Sequence, residues 1–206
     1  MTPIRPMAAC EARAPRRERG ATLLEVLVAL LITVVGLLGL AGMQAYAHQA
    51  EFESYQRAQA LVLLYDMVDR VNSNRRSAGC FAFTTDTANG TPFVGDDSSG
   101  THLGSASCSS GFENSLTKAI VDAAVNDWNS QLQGSSETKA SAKVGAMIGA
   151  RGCVSYDSTN KIYTVAVSWQ GLSDLFEPTV HCGKGQYGAE TKRRTVWTKV
   201  KIATLG

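Results

Sequence analysis

Residues 16–30 read RRERGATLLEVLVAL: a charged run stops at Gly20, an apolar segment starts at once, and a lone Glu25 sits inside it. An acidic side chain near the centre of a membrane span costs roughly 2.5–3.5 kcal/mol even on the mild insertion scale. Keeping a carboxylate there requires a compensating interaction. The segment it opens is long enough to cross a bilayer. Val26 to Met43 is interrupted only by Thr33, and a helix of that length rises about 27 Å, close to the hydrocarbon thickness. Upstream, MTPIRPMAACEARAPRRERG carries five arginines against two acids. The positive-inside rule therefore keeps that leader cytoplasmic and exports the chain beyond Met43.

Working outward, the chain turns polar beyond Met43 but stays helical. Phe52, Tyr55, Gln59, Val62, Tyr65, Val68 and Val71 recur at three- and four-residue steps, with Leu61, Leu64 and Met67 widening the stripe. No proline falls between Ala21 and Arg76, so the spacing predicts one helix from about Thr22 to Asn74, about 80 Å at the standard rise. Residues 77–109 are rich in turn formers and show no sustained period. Ser110 with Glu113 then matches a capping box, and Phe112, Leu116, Ile120, Ala124, Trp128 and Leu132 predict a second helix that Gly134 ends. A small-residue linker leads to three predicted strands, Cys153–Asp157, Lys161–Gln170 and Thr195–Leu205. An antiparallel meander packed on the long helix satisfies these patterns. The expected fold class is thus α+β, a long amino-terminal transmembrane and amphipathic helix against a small antiparallel sheet, with an additional helix and disulfides.

The formal net charge of +2 argues against a dedicated nucleic-acid binder. Lys192-Arg193-Arg194, near Tyr187 and Trp197, reads as a solvated strand start more than as a contact for DNA or an acidic partner. His48, His102 and His181 are scattered and pair with no nucleophile at legible spacing; His181-Cys182 lacks a second close metal ligand. Asp96-Asp97 lacks the alternating oxygen ligands of a calcium loop. No catalytic residue, metal site or cofactor is expected, and the chain does not read as an enzyme. Gly36, Gly39 and Gly42 drift around the helix instead of forming a GxxxG stripe, which fits either local softness or small-residue packing. An ordinary secretory signal ending at Ala45-Tyr46-Ala47 is the competing reading of the amino terminus, although the apolar run exceeds a typical signal core and leaves Glu25 without purpose.

GATLLEVLVALL resembles the cleavage signal of type IV prepilins and pseudopilins. LLITVVGLLGLAGMQ, the YTVAVSW strand and the overall length are most similar to the PilV group of minor pilins, the type IV pilus modification proteins. The resemblance implies cleavage between Gly20 and Ala21 by a prepilin peptidase, methylation of the new amine at Ala21, and an assembly role for Glu25. The domains then become a leader at 1–20, a transmembrane half-helix at 21–43, an amphipathic half at 44–76 and a globular head at 77–206. Ala21 replaces the usual aromatic first residue, and the proline of many major pilins is absent.

A charged amine buried among packed apolar helices needs a partner, and Glu25 lies one turn away from it, in its own chain or in a neighbour. Removing the leader also removes Cys10 and leaves Cys80, Cys108, Cys153 and Cys182, which allow three pairings. The favoured one is Cys80–Cys108 with Cys153–Cys182, in an oxidising compartment. The implied function is structural. It is that of a minor pilin that helps prime pilus assembly at or near the tip, with an I-type minor pseudopilin of a type II secretion system as the alternative. Implied partners are the prepilin peptidase, other minor pilins, the major pilin, a tip adhesin and the inner membrane, with nucleic acid disfavoured. The implied location is the inner membrane, then the pilus, with the head periplasmic or extracellular.

Overall fold

The computed structural model describes residues 20, 22–96, 115–135, 138–139, 142–143 and 147–202. Cys10, Ala21, His102, Cys108 and the expected Ser110–Glu113 cap lie outside the described residues. The chain divides into two units, Met1–Tyr46 and Ala47–Gly206. Helix α1, Leu23–Ser73, runs from the first unit into the second. It starts and stops within one residue of expectation, because nothing in between breaks a helix.

In the first unit every described side chain is exposed, from Thr22 to Tyr46. Leu23 is 83% and Leu38 68% accessible. A Cβ added at Gly36, Gly39 or Gly42 would meet nothing within 4 Å, so no contact among the described residues requires those glycines. Thr33, the one polar residue of the run, satisfies its hydroxyl by donating to the Ala29 carbonyl at 2.8 Å. That back-bond leaves no orphan donor in an apolar surround.

The second unit has its own core. Strand β1 (Val94–Gly95) pairs with β4 (Arg151–Asp157), β4 with β5 (Ile162–Gln170), and β5 with β6 (Arg193–Val200), all antiparallel. A separate hairpin joins β2 (Thr138–Lys139) to β3 (Ala142–Lys143). The sequence pattern predicts only three strands; β1 and the β2–β3 pair fall in stretches that read as loop and linker. The last strand begins two residues early, at Arg193, and ends at Val200.

The buried face of α1 differs from the predicted stripe. Gln56, Ala60, Leu63, Leu64, Met67 and Val71 are enclosed, whereas Phe52, Tyr55, Val62 and Tyr65 stay exposed. The helix carries two apolar stripes. The sheet and helix α2 (Ser115–Leu132) cover the aliphatic one, where Ala60 permits close approach and the Trp128 indole donates to the Leu63 carbonyl at 2.9 Å. On α2 the enclosed residues are Val121, Val125, Trp128 and Leu132, while Leu116 and Ile120 are exposed. The predicted four-residue steps drift around a 3.6-residue turn, so one face cannot hold them all. At Gly152 on β4 a Cβ would lie 2.3 Å from the Trp128 ring, so only glycine admits the indole against the sheet.

Candidate functional site: the amino-terminal segment and its head

Helix α1 begins with a local cap. Thr22 and Glu25 have capping-box spacing, and the Glu25 backbone N–H donates to Thr22 Oγ1 at 3.3 Å and to the Thr22 carbonyl at 3.0 Å. The T-x-x-E signal stands in the sequence beside the glutamate and supplies part of its compensation. A carboxylate in a first helical turn gains roughly 0.3–1 kcal/mol from the helix dipole. It also sits at the end of the apolar run, where the insertion cost is well below the central value. Gly20, two residues before the capping Thr22, is exposed. The segment therefore presents an accessible glycine, a capped helix start with one carboxylate, and an apolar stretch of α1 that is exposed as far as Tyr46 among the described residues.

Among the described residues one helix, α1, is long and apolar enough to cross a membrane, and none of its most apolar window is buried. The family described as the prokaryotic N-terminal methylation motif matches residues 15–41. That match supports a type IV prepilin-like protein. It covers Gly20, Ala21, Glu25 and most of the apolar run. No curated protein matches the chain. No solved structure matches it either.

In the head, Cys153 and Cys182 form a disulfide with Cα atoms 5.8 Å apart. Cys80 is also disulfide-bonded, and a pairing with Cys108 lies outside the described residues.

In the basic run at 192–194 the two arginines are turned inward, against the expected solvated strand start. Arg193 is fully buried and donates to Glu190 Oε2 at 2.7 Å and to the Val180 carbonyl at 2.5 Å. Arg194 donates to the Ser173 carbonyl at 2.7 Å and the Thr191 carbonyl at 3.0 Å. Arg151 is buried between the rings of Phe93 and Tyr187, at 5.1 and 4.8 Å from their centroids, and its guanidinium lies 3.5 Å from Asp96. Burial pushes the Tyr187 hydroxyl up to about 12, against the opposing pull of Arg151. These arginines help to hold the irregular loop 171–190.

Glu53 is a residue that sequence reasoning misses, because it lies off the apolar stripe. Its Oε1 accepts from Leu172 N at 3.0 Å, Ser173 N at 3.2 Å and Ser173 Oγ at 3.1 Å, with Arg194 Nη2 at 3.6 Å. Burial alone would raise its pKa, but those hydrogen bonds and the Arg194 charge outweigh it and lower the value. The loop so anchored carries Leu172, Leu175 and Phe176, the last 96% exposed. The partner is 119 residues away, so no local signal in the sequence marks the contact.

Proposed function

We infer that this chain is a PilV-like minor pilin, cut between Gly20 and Ala21, methylated at Ala21 and incorporated into a type IV pilus, where it helps prime assembly at or near the tip. The observation that carries the reading is the apolar half of α1, which begins within the methylation motif and has every described side chain exposed as far as Tyr46. A bilayer satisfies that surface before assembly, and the helices of neighbouring subunits satisfy it afterwards.

The second unit adds a second support. The exposed stripe Phe52, Tyr55, Val62 and Tyr65 is mostly aromatic and helical in spacing, a pattern suited to packing against another helix. The anchored Leu172–Phe176 loop also presents apolar side chains to water. Both features belong to a part that assembles, and the role is structural.

Deleting the gene tests the assignment. Surface pili should fall several-fold while secretion of exported enzymes continues unchanged. Normal piliation with blocked secretion assigns the chain to the pseudopilins of a type II secretion system.

A further inference from the structure

The sheet face turned away from α1 has two halves. One half lies under the loop 171–190, where Phe93, Cys153, Ala166 and Cys182 form a small closed cluster with Val180 packed on it. The other half opens into a groove of about 490 Å³ whose lining includes Thr87, Ser155, Asp157, Ser158, Thr164 and His181. That volume falls in the range of small-molecule clefts, roughly 300–1,000 Å³.

Its walls are fixed before any ligand arrives. The Cys153–Cys182 bridge pins the wall at His181 to β4, two residues from Ser155. The opposite wall is the turn at 86–90, closed by Asp86, whose carboxylate accepts from Ala88 N, Asn89 N and Asn89 Nδ2 at 3.0, 3.1 and 2.8 Å. The two walls touch, since Gly183 N donates to the Gly90 carbonyl at 3.2 Å. Gly90 has φ +64°, and a Cβ there would lie 2.0 Å from the His181 carbonyl oxygen, so only glycine allows this approach.

The floor continues onto β6. Trp197 pairs with Ala166 and Lys199 with Thr164, so both side chains stand on the groove's face beside its floor. Trp197 is 44% exposed, whereas Trp128 and Trp169 are buried. Lys199 Nζ lies 5.9 Å from the Trp197 ring centroid.

We propose that this groove binds a neutral oligosaccharide. The side chains at the floor and walls are mostly hydroxyls, each able to donate and to accept, which suits a ligand that itself presents hydroxyls. Two carboxylates, Asp157 in the lining and Asp86 in the wall, stand against one ammonium, Lys199, so the site has no positive field that selects a polyanion. The exposed indole offers a flat apolar surface with a polar edge, matched to the C–H face of a sugar ring. The proposal stands on the head's own geometry and does not depend on the assembly reading.

The test uses the mature full-length chain in a detergent without a sugar headgroup, applied to an array of neutral, sialylated and sulfated glycans. Retained glycans are then titrated by tryptophan fluorescence. Neutral glycans are expected to be retained in preference to acidic ones and to change the emission. Trp197→Ala should weaken binding about tenfold or more. Thr164→Val, which keeps the strand's shape, should weaken it several-fold with the unfolding temperature unchanged. The proposal is overturned if no glycan is retained, or if acidic glycans or a single-stranded oligothymidylate bind in preference. It is equally overturned if binding is indifferent to both substitutions.

Discussion

Glu25 sits in the first turn of α1, capped by Thr22, at the edge of an apolar helix. Two physical accounts compete for its presence. The local one is the capping box with the helix dipole, and glutamine satisfies a capping box as well as glutamate does. The other is a charge partner for the amine that cleavage would create at Ala21, and that role requires the ionised carboxylate. A pair of variants separates them. Glu25→Ala and Glu25→Gln should both insert into the membrane at least as well as the parent, because each removes a charge from the span. Both should be depleted at least several-fold from sheared pili, measured by immunoblot against the membrane fraction. Incorporation restored by glutamine would show that capping alone explains the residue.

At the scale of elements, α1 is held to the loop after β5 by Glu53 and to α2 by Arg70, which pairs with Asp66 at 2.8 Å and with Asp127. Glu53 and Glu190 both titrate below the ordinary glutamate value of 4.5: burial opposes this, and hydrogen bonds from Ser173 and Gly185, with Arg194 and Arg193 nearby, prevail. A depressed folded-state pKa gives stability that is present above the unfolded value and lost as pH falls through the folded one. The head should therefore hold its unfolding temperature from pH 7 down to about 5 and lose it below about 4.5. Glu53→Gln should lower the temperature at pH 7 and flatten part of the acid loss; an unchanged acid limb would remove Glu53 from the account. The Cys153–Cys182 bridge spans 29 residues, for which chain entropy gives about 3–4 kcal/mol. Replacing both cysteines by alanine should lower the unfolding midpoint by about 10 °C in calorimetry. A shift of a degree or two would mean that the other contacts of the loop hold it without the bridge. Legibility also divides at this scale. Helix α1 is readable because a long sequence without proline leaves one period to find. Its buried face is not, since Phe52, Tyr55, Val62 and Tyr65 and the stripe of Ala60, Leu64 and Met67 are both apolar and only the sheet chooses between them. Strands β1, β2 and β3 have two residues each, too few to show alternation. The Glu53 anchor and the buried Arg151 and Arg193 are long-range solutions that no window of sequence contains.

At the scale of the molecule, the two units are stabilised by different means. The second buries a core of its own around Leu64, Met67, Trp128 and Val165. The described residues of the first are mostly apolar and all exposed behind a capped end, a surface suited to a bilayer or to other helices. The amino-terminal motif is legible, because it is one contiguous run of residues that does not depend on the fold. The groove on the head is not legible, because it is assembled from the 86–90 turn, β4, β5 and the wall at His181. The central claim is that residues 1–20 are a leader removed by a prepilin peptidase, and intact-mass and amino-terminal peptide spectrometry of the mature protein tests it most directly. The account predicts a chain that begins at Ala21 with one methyl group on its amine. A chain beginning at His48, after Ala45-Tyr46-Ala47, would contradict it.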